Sequence, residues 1–265
     1  MKLVICSAGR ARLLRDKTLV ALHRGRFTGE LHIVVPFDEV LEYTMVCGAY
    51  RIWGAPKGLC RQRQFARNLF GREEEIVFMD DDITAVKAKV GGELWRVDLN
   101  DMFSACFAVM KEVKASMWGV YPVCNRDWMS NTIDCDNAYV VGALYGIVNS
   151  IPPEGDDDEK EDWERQLKLM LAGGKAIRFR EFGIITRYWR GDTGGIQRTE
   201  EATRRIVDRL VEKYPGYVKP VVRRNGKLDL KFVGRPVSLS LPSPPPCPRV
   251  LPDSEEDVSG SVSGP

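Results

Sequence analysis

The sequence predicts an α/β fold, a mostly parallel sheet with flanking helices followed by a small basic C-terminal lobe. Three observations carry that expectation. Short apolar β-prone runs alternate with helix-compatible segments, as βαβ units require. The 265 residues, 44% hydrophobic and 29% charged, suffice to bury one large core. From Pro236 onward the chain is Pro/Ser/Gly-rich and without periodicity, which reads as a disordered tail. The expected organisation is a main domain over 1–195, a basic helix-hairpin lobe over 196–235 and the tail over 236–265.

In chain order, "KLVICSA" and "LHIVVPF" read as buried strands with the helix-compatible "KTLVALHRG" between them. "EEIVFMD" is a further strand, preceded by the helix "LCRQRQFARNLFG". From Asp98 to Lys114 the spacing suits an amphipathic helix capped by Asp98 or Asn100. "MWGVYPV" and "AYVVGALYGIV" read as strands. "KEDWERQLKLMLAGG" places Trp163, Leu167, Met170 and Leu171 at helical spacing, and Gly173-Gly174 supplies the stop. A strand, "KAIRFREFGIITRYW", and a glycine turn, "RGDTGGIQ", follow. "TEEATRRIVDRLVEKY" is a helix with Thr199 as N-cap and charges that match its dipole. Asn225-Gly226 between two β-prone runs then signals a hairpin.

Seven cysteines, odd in number and without a Cys-x-x-Cys pair, suggest neither a disulfide framework nor a zinc site, and fit a reducing, cytoplasmic setting. No apolar run is long enough for a membrane span, and "MKLVICSAGRARLL" turns basic too early for a signal peptide. The tail is net −3, which leaves +5 on the rest of the chain against +2 for the whole. A mildly basic body permits phosphate-bearing partners.

Ligands of parallel α/β sheets bind beyond the carboxyl ends of the strands. Three of these ends are polar: Ser7, Gly9 and Arg10 after the first strand, Glu39 and Tyr43 after the second, and Asp80, Asp81 and Asp82 after "EIVFM". An Asp cluster here can be a solvated turn, but at the end of a buried strand its hard oxygens can hold Mg²⁺ or Mn²⁺ against a diphosphate. Residues two apart point the same way, so Asp80 and Asp82 are the candidate metal ligands and Asp81 is free to reach a sugar hydroxyl.

At these residues the chain resembles a known family. "LCRQRQFARNLFG" followed by "EEIVFMDDDI" is similar to the Arg-Asn helix and Asp-x-Asp strand of GT-A glycosyltransferases, and "AYVVGALYGIVNS" with "KEDWERQLKLMLAGGKAIRF" to their acceptor-side strand and Glu-Asp helix. Within that class "CSAGRA", "IVVPFDEVLEY" and "GDTGGIQ" resemble the TET-associated glycosyltransferases of phages and kinetoplastids, which glycosylate hydroxymethylated pyrimidines in DNA.

The resemblance implies a GT-A, Rossmann-like sheet over most of Met1 to Arg190, a divalent cation, and a nucleoside diphosphate sugar such as UDP-glucose as donor. The acceptor it implies is DNA carrying hydroxymethylated cytosine or uracil, in a bacteriophage setting. Ser7, Gly9, Arg10, Glu39 and Tyr43 would frame the nucleotide. Asp162 would be the base that takes the acceptor's proton, with Glu161 the next candidate; both also suit the dipole of a helix start. One departure is that many relatives supply a late His to the metal, whereas this chain has only His23 and His32, both early, so that the third protein ligand is absent or another group such as Asp192 fills it.

Arg61, Arg63 and Arg67 share one helix, and Arg63 and Arg67 lie on one face where they could meet phosphates or form an exposed stripe. Asn68 reads as a tie from the helix end to a neighbouring strand. Gly194 and Gly195 can bring backbone N–H groups to phosphates. Trp118, Tyr121, Trp128 and Tyr139 lie where an acceptor pocket would be built, and Trp128, in the polar "NRDWMSN", suits stacking on an extruded base. Arg223 and Arg224, in the basic lobe, are candidates for DNA phosphates. Two other readings stay open: a GT-A enzyme acting on a surface glycan or protein, and a non-catalytic nucleic-acid-binding module whose Asp triplet is a turn.

Overall fold

The computed structural model describes residues 1–48, 50–135, 138–155, 157–186, 199–234, 237–239 and 248–251. Its first half runs β1 (Lys2–Cys6), α1 (Ala11–Leu14), a π-helical turn (Arg15–Leu19), α2 (Val20–Arg24), β2 (Glu30–Pro36), a 3₁₀ turn (Phe37–Glu39), α3 (Val40–Cys47), β3 (Arg51–Ala55), α4 (Leu59–Asn68) and β4 (Glu75–Met79). Next come β5 (Ala85–Val90), β6 (Glu93–Val97), α5 (Leu99–Glu112), β7 (Met117–Tyr121), β8 (Ile133–Cys135), β9 (Leu144–Val148), α6 (Glu161–Leu171) and β10 (Ala176–Ile185). The chain continues with α7 (Glu200–Lys213), β11 (Val218–Val222), β12 (Leu228–Phe232), β13 (Val237–Leu239) and β14 (Val250–Leu251).

The main sheet runs β14-β6-β5-β10-β7-β9-β4-β1-β2-β3, with β8 and β13 joined at β10. It is a mixed α/β sheet. β4, β1, β2 and β3 are mutually parallel, as is the β7–β10 pair, while β9, β5, β6, β8 and the two last strands pair antiparallel. β1 sits centrally because both its faces are apolar. Leu3 and Ile5 pack in one core with Ala11, Leu14 and Phe103, while Val4 and Cys6 face another that holds Ala66 and Leu169. Helices therefore cover both sides and leave the strand ends as the accessible cleft.

α5 is capped by Asp98, whose Oδ1 accepts from the N–H groups of Asn100 and Asp101 at 3.1 and 3.3 Å. "AYVVGALYGIV" is strand only from Leu144. The residues before it run irregularly because Gly142 is pressed against α6, where a Cβ would collide with Glu161 Oε1. The β5–β6 hairpin around Gly91-Gly92, and β3, are additions to the elements expected from sequence.

α7 and the β11–β12 hairpin form the C-terminal lobe, with Val207, Leu210, Val218, Leu230 and Phe232 sharing a core with Trp163 and Leu167 of α6. The tail departs from the expectation of disorder at two places. β13 pairs with β8 and β14 with β6, and Asp98 donates its N–H to Arg249 O at 2.9 Å. The physical reason is that both partners present open strand edges, and a short extended segment can satisfy an edge without burying much apolar surface.

Candidate active site

The loop after β1 is laced to α3 and to the Asp turn. Ser7 Oγ lies 2.5 Å from Asp81 Oδ2 and 2.7 Å from Tyr43 OH, and Arg10 donates its N–H to Tyr43 OH at 3.0 Å. Because the serine proton goes to the carboxylate, the phenol donates to Ser7 Oγ. Gly9 donates its N–H to Glu39 Oε2 at 2.6 Å, and Arg10 Nη1 lies 3.2 Å from Asp81 Oδ1. Gln62 of α4 closes the base of the loop by donating to the carbonyls of Ser7 and Val34. Ser7, Gly9, Arg10, Glu39, Tyr43 and Asp81 thus form one hydrogen-bonded group. Asp81 and Tyr43 are its buried struts rather than its exposed rim.

β4 ends at Met79, and the three Asp side chains diverge. Asp80 donates its N–H to Ala143 O at 2.8 Å, and its carbonyl accepts from Thr18 Oγ1 at 2.9 Å. Thr18 also accepts from the Ile83 N–H at 3.0 Å, so the π-helical turn clamps both ends of the Asp turn. Arg63 Nη2 is 3.3 Å from Asp80 Oδ1, and Thr186 Oγ1 donates to Asp82 Oδ1 at 2.7 Å. The Asp80 side chain is 37% exposed, yet its surroundings are dense enough that desolvation, with the nearby Asp82 and Asp81 carboxylates, outweighs Arg63 and pushes its pKa up to about 8.

Among the described residues no group of three or more His, Cys, Asp or Glu gathers to hold a metal. What Asp80 and Asp82 offer is a pair of hard carboxylates whose Oδ2 atoms accept no hydrogen bond from the described residues. That donor set fits Mg²⁺ or Mn²⁺ completed by ligand phosphates and waters.

α6 follows an N-cap, Lys160, in the left-handed conformation, and opens on Glu161 and Asp162, which are in different states. Arg63 Nη1 lies 2.5 Å from Glu161 Oε1 and its Nη2 donates to Gly142 O at 2.9 Å, with both ionic side chains buried. Despite that burial, Arg63 and Arg165 hold the Glu161 carboxyl below its usual range. Asp162 goes the other way: burial and the Glu161 charge raise it. Its Oδ2 accepts from Tyr139 OH and from the Gly142 N–H at 3.3 Å, and its Oδ1 from the Trp163 N–H at 2.9 Å. Two adjacent carboxyls are thus pushed apart, Glu161 down and Asp162 up.

No family model matches the chain, and no curated protein does. In shape it is similar to several solved structures. S. aureus TarS 1-349 in complex with UDP-GlcNAc aligns at TM-score 0.48 and 11% identity over 79% of this chain and 66% of that one. A 4-diphosphocytidyl-2C-methyl-D-erythritol synthase from Anaerococcus prevotii aligns at 0.43 and 12% over 72% and 91%. A CMP:2-keto-3-deoxy-manno-octonic acid synthetase complexed with CTP aligns at 0.41 and 9% over 80% and 98%. Likeness at this level is one of general outline and does not reach the question of substrate.

Several expected site residues lie apart from the cleft. Arg67 is buried one turn further along α4, donating to Asn149 Oδ1, Pro152 O and Ile151 O at 3.1, 2.8 and 2.6 Å, so its role is to brace a loop. The tie at the α4 end is made by Asn149, whose amide donates to Arg67 O at 2.8 Å, rather than by Asn68. Arg63 is in the site but faces protein carboxylates and a carbonyl. Trp118 is core, and the Tyr121 ring centroid lies 5.4 Å from each of the Arg178 and Arg180 guanidiniums. Trp128 is 59% exposed on a loop held by Arg180 Nη2 to its carbonyl and by Lys89 Nζ to the Arg126 and Met129 carbonyls. In the lobe Arg223 is paired with Asp229 at 2.8 Å, while Arg224 is exposed. Asp192, Gly194 and Gly195 lie outside the described residues.

Sequence reasoning missed Thr18, Gln62 and Thr186. Thr18 and Gln62 are polar residues within helices, a pattern shared with many surface positions, and only their burial distinguishes them.

Proposed function

We propose that the chain is a divalent-cation-dependent, inverting glycosyltransferase of the GT-A type. It moves a hexose, glucose in the first instance, from a nucleoside diphosphate sugar to the hydroxymethyl group of a modified pyrimidine in DNA. The observation that carries the reading is that Arg63 joins Asp80, at the end of β4, to Glu161 and Gly142, which border Asp162 at the start of α6. That one side chain joins the Asp turn to the start of α6 supports assigning the cation to the first and the acceptor's proton to the second.

In this reading the loop Ser7–Arg10 receives the nucleotide, and Asp80 and Asp82 hold the cation, which when bound stabilises the departing diphosphate. Asp162 accepts the proton of the acceptor hydroxyl as that oxygen bonds to the sugar carbon and the sugar–phosphate bond breaks. Glu161 keeps Arg63 neutralised and raises the basicity of its neighbour. UDP-glucose binding by calorimetry with and without Mn²⁺, followed by mass spectrometry of nucleosides from hydroxymethylated DNA, tests the proposal. Absence of donor binding with any sugar nucleotide would reject it.

A glycan or protein acceptor is the second reading, and one observation favours it. Cations of the lobe are partly engaged by protein acids: Arg223 by Asp229, Arg209 by Asp157 and Glu164, and Lys213 by Glu164. Transfer to DNA in the assay above separates the two.

A further inference from the structure

The segment 138–142 has no regular structure, yet it is held on both sides. Gln166 of α6 accepts from the Val140 N–H at 3.0 Å and donates to Ala138 O. Arg178 of β10 donates to Tyr139 O at 3.0 Å while its Nε and Nη2 grip Asp134 at 3.1 and 2.5 Å. The ring of Tyr139 stacks on Trp163 at 4.3 Å and 18°, and Trp163 in turn meets Phe232 of β12 at 4.7 Å. These contacts fix the backbone and the ring of one tyrosine, and what that tyrosine presents is its hydroxyl, to Asp162 Oδ2.

The donors around Asp162 are unevenly shared. Oδ2 receives two, from Tyr139 and Gly142, and Oδ1 receives one, from Trp163. A carboxylate oxygen has two lone-pair directions. Among the described residues the open direction is therefore on Oδ1.

We infer that Tyr139 is a positioning residue: it locks the Asp162 carboxylate by holding Oδ2, so that Oδ1 takes the acceptor's proton, and it ties that orientation to the C-terminal lobe through Trp163 and Phe232. The inference rests on Asp162 being the base of the proposed transferase. Tyr139, expected from sequence to line the acceptor pocket, acts here through another residue. The direction of its effect follows from the donated proton, which favours the ionised carboxylate and opposes burial and the Glu161 charge. The other charged groups facing the pair are Lys160 just before α6, Arg165 of α6 and Asp229 of β12, and replacing Tyr139 leaves them in place.

Tyr139→Phe keeps the stacked ring and removes only the hydroxyl. The deciding measurement is a ¹³C titration of the Asp162 carboxyl in the full chain, which needs no turnover. The expected result is a midpoint about one to two pH units higher in Tyr139→Phe than in the unaltered protein, the size of a lost hydrogen bond to a charged group. A fluorinated tyrosine at position 139, a stronger donor of the same shape, should move it the opposite way, and covers the case in which the phenylalanine variant fails to fold. An unmoved midpoint in the folded variants overturns the inference. With transfer established, the acid limb of the kcat profile should follow the same shifts while the donor KM stays constant, and a limb that stays put likewise overturns it. Failure of the unaltered protein to transfer any sugar, beside a shifted titration, would instead reject the transferase reading and keep the Tyr139–Asp162 link.

Discussion

Arg63 and Glu161 form a buried ion pair, Nη1 to Oε1 2.5 Å, with 2% and 7% of their side-chain surfaces exposed. The same guanidinium reaches Asp80 and the Gly142 carbonyl, so α4, β4, the run before β9 and the start of α6 meet at one side chain. Its removal should act on folding before it acts on chemistry.

Glu161→Gln and Asp162→Asn should accordingly separate. Glu161→Gln leaves the Arg63 charge buried with a weaker partner, and breaking such a pair costs about 3–5 kcal/mol. Asp162→Asn should fold and bind donor normally while transfer falls by about 10²- to 10⁴-fold. Denaturant melts and single-turnover rates of the two variants check this, and a stable, inactive Glu161→Gln protein would exchange their roles.

Asp80 carries a pH signature. Its carboxyl moves from an ordinary 3.8 to about 8 in the folded protein. Between those values the folded state holds the proton more tightly than the unfolded one, so this group's contribution to stability falls as pH rises through the window and is unfavourable above it. With chelator present, Asp80→Asn should raise the melting temperature at pH 8.5 by more than at pH 4, where the folded group is protonated and the unfolded one, with its pKa near 3.8, has only begun to bind fewer protons. Sugar-nucleotide binding that depends on Mn²⁺ should be lost in the same variant. Equal melting shifts at both pH values would show that Asp80 is not perturbed.

Truncation after Arg235 should lower the melting temperature, because β13 and β14 leave β8 and β6 with open edges and Asp98 loses its bond to Arg249 O. For a domain of this size each kcal/mol lost corresponds to about 2–4 °C. A calorimetric scan that superimposes on the full chain would show that the two strands contribute nothing.

If the lobe binds DNA, neutralising Arg223 and Arg224 together should flatten the salt dependence by about one phosphate contact, roughly 0.9 in the log-log slope, because Arg223 is already paired with Asp229. A reduction of twice that would mean that the pair opens on binding.

The sequence made the scaffold readable where pattern and chemistry coincide. β1, β2 and β4 are continuous apolar runs, α5 has its Asp98 cap, and the hairpin has Asn225-Gly226. The Asp turn and the acidic start of α6 stood out because carboxylates follow directly on apolar or helical pattern. What the sequence could not tell was direction and partner. Arg63 and Arg67 share a helical face, yet one meets Glu161 and the other Asn149, since Arg67 lies one turn further along the helix. The partition of Glu161 and Asp162 depends on Arg63, 98 residues away in the chain, and on Tyr139, which lies in a run that reads as strand. The strands of the tail depend on edges supplied by β6 and β8, and no local signal reports an open edge.

A π-helical turn is an α-helical turn with one residue inserted. Removing any single residue from Arg15–Leu19 would let the helix wind regularly from Ala11 to Arg24 and rotate one half against the other by about 100°. Either Leu14 would swing out of the core or the Thr18 hydroxyl would leave the Asp80 carbonyl and the Ile83 N–H. Chains descended from a common ancestor with this one should therefore keep the length of this segment even where they change its residues, and a one-residue gap here would mark a copy whose carboxylate turn has been released.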